Sequence, residues 1–465
     1  MPLILPGNVA SATAPTTYSV ANSVRFNRAD SPTLLKAFGT PTNHDKWTFS
    51  IWCKRSGLGT TQNLCACQSS GTKLTSLRFD SDNTLNFYDY TGAYNGRIAT
   101  NRVFRDVAAW YHIVIVWDSG NATAGNRMRM YVNGIEETSF GTDTNPDQNL
   151  DSDMNTSGEN LDIGHAADGN YFDGYLAEAV FCDGQTYAAS DFGEFDETTP
   201  SIWKPKDVSG LTFGTNGCYL DFEASDNLGN DANGGTDLTE GNLAAADQAT
   251  DSPTNNFATF NSAIRLGGNS TLSEGNCVNY MDAAGYESVW STIMVTKGKW
   301  YCEFKFIAGS HQYTAILGEN LVNDYYENVV GGVPNVAYNH AGNKQIDGAQ
   351  SSYGDTYTTG DIIGVALDYT NNFIYFSKNG TFQNSGDPTS GATGTGGLAL
   401  PSTTHAYAFG VSKYADQGSV GVNFGGCPGF AISSGNADGD GYGNFEYAVP
   451  SGYFALCTKN LAEYG

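Results

Sequence analysis

Three stretches of this chain set side chains capable of chemistry at useful spacings. The first is FYDYTGAYNGR, in which Tyr88, Tyr90 and Tyr94 stand beside Asp89, Asn95 and Arg97. Aromatic faces with polar and cationic neighbours suit sugar rings. Tyr88 and Tyr90 share one strand parity, so the same pattern also fits a pair of core side chains. The second is Asn436-Ala-Asp438-Gly-Asp440-Gly441, with the N-x-D-x-D-G spacing of oxygen ligands that calcium takes from alternate loop positions. The twelfth position of that pattern is Tyr447, Glu446 falls one residue short, and no helical pattern precedes it, so a solvated acidic turn competes. Asp168, Asn170 and Asp173 form a looser set of the same kind. The third is Cys65-Ala-Cys67, half of a soft-metal site. His112 sits mid-strand between Tyr111 and Ile113, where a hydrogen-bonded core histidine is the expectation over a catalytic or metal role. No G-x-S-x-G, H-E-x-x-H or phosphate-cradling loop is present.

Composition narrows what such residues can serve. The 465 residues carry 56 Gly, 27 Tyr and 25 Phe with only 15% charged side chains, the profile of turns and aromatic strands in an all-β protein. The length calls for two or three domains, each able to bury its own core. With 49 Asp and Glu against 23 Lys and Arg, the formal net charge is −26, which opposes nucleic-acid binding and direct attraction to an anionic membrane. Nine scattered cysteines without a C-x-x-C pair read as buried reduced thiols of a protein assembled in a cytoplasm. The opening MPLILPG is too short and too broken by Pro and Gly for a signal peptide, and no apolar run approaches a membrane span.

The elements that must position these residues are strands and tight turns. Residues 1–17 are small and polar and read as an extended arm. Val24 and Phe26 alternate with Arg25 and Asn27 as in a half-buried strand; Trp47, Phe49 and Ile51 alternate with Thr48, Ser50 and Trp52, leaving Trp52 an edge or solvent-facing position. Trp110 to Trp117 is apolar on both faces, as in a central sandwich strand, and Asn133-Gly134 closes the following hairpin. From 201 to 260, runs such as DNLGNDANGGTDLTEGN offer no core and read as a junction, although Trp203, Phe213, Tyr219, Leu220 and Phe222 are apolar enough to dock. Beyond it, Trp300 to Phe306 alternates as a strand with one buried face. GDIIGVALDYTNNFIYFSKNG, residues 360–380, reads as two strands around Asn371-Asn372, with a second turn at Asn379-Gly380.

Three resemblances follow. Trp110, His112, Tyr131, Asn133, Gly134, Ile163, Gly164, Phe172, Gly174 and Glu178 fall in the order of the laminin-G-like, or concanavalin-A-like, jelly roll, covering 18–200. Asp361, Gly364, Asp368, Phe376, Asn379 and Gly380, with the Trp300-Tyr301-x-Glu303 strand and Asn423-Phe424-Gly425, match the SPRY domain, with Ala408 where Pro often stands. The segment FGTNGCYLDFEASDNLGNDANGGTDLT and the tail VPSGYFALCTKNLAEYG resemble virion appendage proteins of tailed, notably marine, bacteriophages.

The concanavalin-A-like resemblance brings glycoside hydrolases into view, whose carboxylates stand on one strand as E-x-D-x-x-E. The nearest run, Glu194-Phe-Asp196-Glu197-Thr-Thr199, ends in Thr and lies in a polar, Pro-terminated segment, so no catalytic residues are assigned and the chain reads as non-enzymatic. The expected fold is all-β, two tandem antiparallel sandwiches: arm 1–17, laminin-G-like domain 18–200, junction 201–260, SPRY-like domain with a C-terminal extension 261–465. The resemblances imply a virion protein of a tailed phage, a tail fibre, spike or head decoration, assembled in the host cytoplasm. Its partners would be other virion proteins and a host-surface glycan or protein, with no nucleic acid. The candidate ligand-binding residues are Tyr88, Tyr90, Tyr94, Asn95 and Arg97. No cofactor is required, and calcium is the candidate metal at Asn436, Asp438 and Asp440. A glycan hydrolase and a ligand-free capsid decoration are the alternatives. The chain lacks a heptad seam, so a homo-oligomer gathered on the particle, with the arm as anchor, is expected; completion of an edge strand is the arm's competing role.

Overall fold

The computed structural model describes residues 18–266, 270–282, 286–309, 312–318, 334–414 and 417–465; the expected arm, 1–17, lies outside them. The chain passes from one compact unit to the next between Thr254 and Asn255. Both units are sandwiches of antiparallel sheets, so the all-β expectation holds.

In the first unit one sheet runs, in spatial order, through Ile135–Glu136, Met128–Val132, Trp110–Asp118, Lys46–Arg55, Gly174–Asp183, Ser23–Phe26 and Gln248–Ala249. The facing sheet runs through Phe140–Thr144, Tyr94–Val103, Thr84–Thr91, Lys73–Phe79, Gln62–Ser70, Asn160–Ile163, Thr33–Ala37 and Thr239–Gly241. Alternation sends Trp47, Phe49, Ile51, Ile113, Ile115 and Trp117 inward. Trp47 stacks on Trp117 at 6.1 Å, and Phe87 of the facing sheet meets both edge-on at 5.7 and 6.5 Å, which locks the two layers.

The outer face of the first sheet is also buried, and here three expectations change. Lys46–Arg55 is an interior strand, and Trp52, only 3% exposed, stacks on His112 at 4.7 Å instead of facing solvent. Val114, Val116, Val180 and Cys182 form a second core with Phe192, Val208, Phe213 and Tyr219. The stretch up to Thr254 is therefore not a spacer: Cys218–Leu220 pairs with Ala179–Phe181, Thr239–Gly241 with Thr33–Leu35, and Gln248–Ala249 with Ser23–Val24. Leu228 and Leu238 enter the main core. Few apolar side chains suffice because buried carboxylates fix the turns between them; Asp231 accepts the Tyr219 N–H at 3.0 Å and pairs with Lys36 at 3.3 Å. Arg25 is buried rather than half-exposed, paired with Asp247 at 3.0 Å.

Trp203 closes this layer. Its indole N–H donates to His112 Nδ1 at 2.9 Å, so Nε2 carries the ring proton and donates to Ser50 Oγ at 2.8 Å. Burial lowers the His112 pKa to about 3, so the hydrogen-bonded core histidine expected from the sequence is neutral. Asn133 and Gly134 hold φ of 49° and 79°, the turn that Asn-Gly favours, and a Cβ on Gly134 would stand 2.3 Å from the Trp203 ring.

Glu178, the last residue of the laminin-G-like pattern, sits at a bulge with φ 49°, between the segment paired with Ser23–Phe26 and that paired with Cys218–Leu220. Its Oε2 accepts the hydroxyls of Tyr219 at 2.8 Å and Tyr18 at 2.9 Å. Burial pushes this carboxyl up to about 7.

In the second unit one sheet runs through Phe260–Leu266, Tyr286–Val295, Tyr407–Tyr414, Gln312–Leu317, Asn335–Asn339, Asn343–Ile346 and Ala349–Ser352. The other runs through Thr271–Ser273, Val278–Met281, Gly418–Asn423, Lys299–Gly309, Ile362–Asp368, Phe373–Lys378 and Thr381–Phe382. The Ile362–Asp368 and Phe373–Lys378 hairpin forms as read, with Asn372 at φ 66° and Asn379-Gly380 at 48° and 79°. The SPRY-like residues are its staples. Asp361 accepts Asn379 Nδ2 at 2.7 Å, Asn379 accepts the Ile362 N–H at 2.9 Å, and Asp368 accepts the Asn371 N–H at 2.9 Å. Gly364 leaves room for the Tyr301 hydroxyl, 2.7 Å from where a Cβ would stand. The Trp300 strand is buried on both faces, not one: Tyr301 packs with Phe445, Tyr453 and Ala455, and Phe454–Ala455 pairs in parallel with Trp300–Tyr301. Glu303 accepts the N–H groups of Glu446 and Tyr447 at 2.9 and 2.8 Å, which ties the C-terminal extension onto the sheet.

Two consequences are measurable. Trp203→Ala, which empties an aromatic site and strips His112 Nδ1 of its donor, is expected to lower the stability of the first unit by about 3–5 kcal/mol in urea unfolding. Glu178 has a folded-state pKa above its unfolded value, so its protonated form contributes stability that is full below about 4.5 and lost as pH rises through about 7. Glu178→Gln, a fixed mimic of the neutral acid, should therefore gain on the parent chain between those limits, by at most about 3 kcal/mol. A stability difference that is flat with pH would contradict this.

Candidate functional site

The tyrosine cluster assembles on a hairpin of the facing sheet in the first unit. Thr84–Thr91 pairs with Tyr94–Val103 so that Tyr88 lies opposite Arg97 and Tyr90 opposite Tyr94. Leu85 and Phe87 take the inward positions, which turns Tyr88 and Tyr90 to the outer face of the sheet, where Tyr88 is nevertheless buried.

Tyr94 is 46% exposed, and its ring meets Tyr88 at 5.5 Å and Tyr90 at 5.2 Å, both edge-on. The Arg97 guanidinium stands over Tyr94 at 4.8 Å. Tyr88, 4% exposed, forms the floor of the cluster: the Arg78 guanidinium lies over its ring at 5.0 Å and donates to its hydroxyl at 3.0 Å. Arg78 is in turn held by Asp80 at 2.7 Å. Asn95 braces the turn, donating to Asp89 Oδ2 at 2.7 Å and Thr91 Oγ1 at 3.0 Å. Of the five expected ligand-binding residues, Tyr90, Tyr94 and Arg97 present surface, Tyr88 supports them, and Asn95 sets the turn. The arrangement is a shallow platform of ring edges and faces beside a guanidinium, suited to stacking on a sugar and donating to its oxygens.

Arg78 and Asp162 join this outer face beyond the five expected residues. Strand parity with Ser76 would have placed Arg78 on the outer face, whereas the position of Asp162 depends on pairing between distant strands. Arg97, Tyr88, Ser76, Ala66 and Asp162 stand in register across five strands, about 19 Å at the usual strand spacing. Burial pushes the Asp162 carboxyl up to about 7 and holds His165 below the usual histidine range; at 3.9 Å, the two do not form a tight ion pair near neutrality. His165 stacks on Tyr171 at 4.7 Å.

The other candidate residues are placed elsewhere. Asp438 accepts the N–H groups of Asp440 and Tyr442 on Oδ1, and those of Ala455 and Asn460 Nδ2 on Oδ2, at 2.8–3.0 Å. Asn436 bonds back to Phe445 and Glu446. These two residues organise the C-terminal extension through hydrogen-bond donors rather than standing as free oxygen ligands beside Asp440. Among the described residues no three His, Cys, Asp or Glu side chains gather as a metal site. Asp168 accepts Asn63 Nδ2 and the Asn170 N–H, both at 3.1 Å, while Asp173 Oδ2 lies beside Gly57. Cys65 and Cys67 lie in the core, and all nine cysteines are buried. Glu194 and Asp196 share Lys204 at 3.4 and 3.7 Å, and Asp196 accepts the Thr198 and Thr199 N–H groups, which clamps the turn.

Comparison with known proteins follows the same division. Residues 28–186 match the family described as the concanavalin A-like lectin/glucanases superfamily, of laminin G type, and residues 324–400 match the SPRY domain. No curated protein matches the chain. Among solved structures, the chain is similar to the SPRY domain of human HERC1, at 16% identity over 35% of this chain and 96% of that one, TM-score 0.29. It is also similar to a SAP-like pentraxin from Limulus polyphemus, at 20% identity over 36% of this chain and 77% of that one, TM-score 0.26. A putative carbohydrate binding protein from Bacteroides ovatus aligns at 14% identity over 48% of this chain and 58% of that one, TM-score 0.34. The chain thus carries a concanavalin A-like domain of the laminin G type followed by a SPRY domain.

Proposed function

We propose that this protein is a non-enzymatic surface component of a tailed-phage virion whose first domain binds a host-surface glycan through the Tyr90, Tyr94 and Arg97 platform. The observation that carries the glycan reading is Tyr94, a large aromatic held half in water by ring-edge contacts on both sides and capped by a guanidinium. The superfamily that matches the first domain takes lectins in its name, which supports a carbohydrate ligand. The virion reading draws on the likeness of the 213–239 stretch and the C-terminal tail to phage appendage proteins.

A shallow site of this kind binds at about millimolar strength, near −4 kcal/mol, so single copies do not hold a particle on a cell. Copies gathered on the particle raise avidity by about a hundredfold to ten-thousandfold when their spacing permits simultaneous contact. Other virion proteins are then the second class of partner.

A glycan array probed with the full chain tests the first half. Tyr94→Ala should weaken binding to the positive glycans by about tenfold and leave the unfolding midpoint within error. Release of reducing ends from a bound polysaccharide would replace this reading with a hydrolase. Immunogold labelling of virions tests the second half, and unmarked particles would end it.

A further inference from the structure

We propose that the platform selects acidic glycans, with the Arg97 guanidinium as the group that recognises a carboxylate or sulfate on the sugar. The proposal rests on the glycan reading of this face and adds the charge class of the ligand.

Several cations in this chain are paired with acids, whereas Arg55, Arg127 and Arg129 donate to amide, carbonyl or phenol oxygens instead. Arg25 pairs with Asp247, Lys36 with Asp231, Lys54 with Asp251, Arg78 with Asp80 and Lys299 with Asp368, all between 2.6 and 3.3 Å. Acids outnumber Lys and Arg by 49 to 23, yet some arginines have no acid partner among the described residues. Arg97 is such a residue. Its Nε donates to the neutral Asn86 Oδ1 at 3.3 Å, and among the described residues no carboxylate forms an ion pair with it.

The neighbourhood explains why. Arg97 is flanked in register by Tyr88 on one strand and Thr144 on the other, both uncharged. Asp80 is engaged by Arg78 at 2.7 Å and by Asn86 Nδ2 at 2.9 Å. Asp89 is turned inward, where Thr75 Oγ1, the Asp153 N–H and Asn95 Nδ2 occupy it at 2.6–2.9 Å. The guanidinium stands over the Tyr94 ring at 4.8 Å and is held at Nε by Asn86, which leaves its terminal N–H groups for an outside acceptor. A planar, pre-oriented fork of donors next to an exposed ring fits a sugar that stacks while presenting an anionic oxygen pair. The surrounding negative field disfavours anions at long range, so selection depends on this contact and not on general attraction.

Calorimetric titration of the full chain with tetragalacturonate, a sulfated galactotetraose and uncharged galactotetraose tests the proposal. At least one acidic probe should bind about tenfold tighter than the neutral one, and the two acidic arms distinguish carboxylate from sulfate. Arg97→Gln should abolish the affinity difference between the acidic and the neutral probe; Arg97→Lys, which keeps charge but loses the planar fork, should leave part of it. Tyr94→Ala should weaken all binders together. Equal affinity for acidic and neutral probes, with Tyr94 still required, would overturn the anion inference and leave the glycan reading in place. An acidic preference that survives Arg97→Gln would remove Arg97 from the role. Absence of binding to every probe, with glycan-array binding also absent, would overturn both.

Discussion

Buried carboxylates that accept hydrogen bonds from loop backbone are the interaction on which most of this structure rests. Asp183 accepts the N–H groups of Thr42 and Asn216 at 2.7 and 3.1 Å and Asn155 Nδ2 at 2.7 Å, tying three separate segments to one strand end. Asp251 takes Lys54 Nζ at 2.6 Å and Trp110 Nε1 at 3.1 Å. Glu303 and Asp438 do the same for the C-terminal extension. Charge-assisted hydrogen bonds of this kind are stronger than neutral ones, and losing a partner leaves a buried charge unsatisfied. A chain with 56 glycines and long polar stretches can in this way fix segments that have little apolar surface of their own.

The platform depends on the same device. Asp89 lies on the inner side of the hairpin whose outer side carries Tyr88 and Tyr90, and through Asn95 it fixes the turn that brings Tyr94 and Arg97 alongside them. A rigid hairpin lets a shallow surface hold an exposed ring without conformational cost on binding. The aromatic floor, Tyr88 under Arg78, is itself held by Asp80. Acids here shape the site from behind and leave one guanidinium at the front.

In the second unit, the residues that mark the SPRY pattern act as hairpin staples and packing spacers. Asp361, Asn379 and Asp368 satisfy turn N–H groups, Gly364 makes room for Tyr301, and Phe376 fills the core. The pattern therefore specifies an architecture, and its recurrence carries no ligand with it.

The sequence by itself determined the hairpins, the strand alternation and the sandwich class, because turn chemistry at Asn133-Gly134 and Asn379-Gly380 and a period of two are local properties. It also determined His112 as a hydrogen-bonded core residue, since an apolar strand on both sides leaves little else. It did not determine which strands are interior. Local alternation places Trp52 and Arg25 at the border with solvent, yet His112, on which Trp52 stacks, and Asp247, which pairs with Arg25, lie about 60 and 220 positions along the chain, a separation no local pattern records. The 201–254 part of the expected junction packs into the first unit beyond the docking of its aromatic side chains for the same reason: its low apolar content describes a linker unless distant carboxylates and strand edges exist to receive it. Tyr88, Tyr90 and Tyr94 were legible as a cluster from spacing alone. Only the tertiary structure decided that they face outward, because strand parity fixes two faces and pairing with the facing sheet decides which one is core.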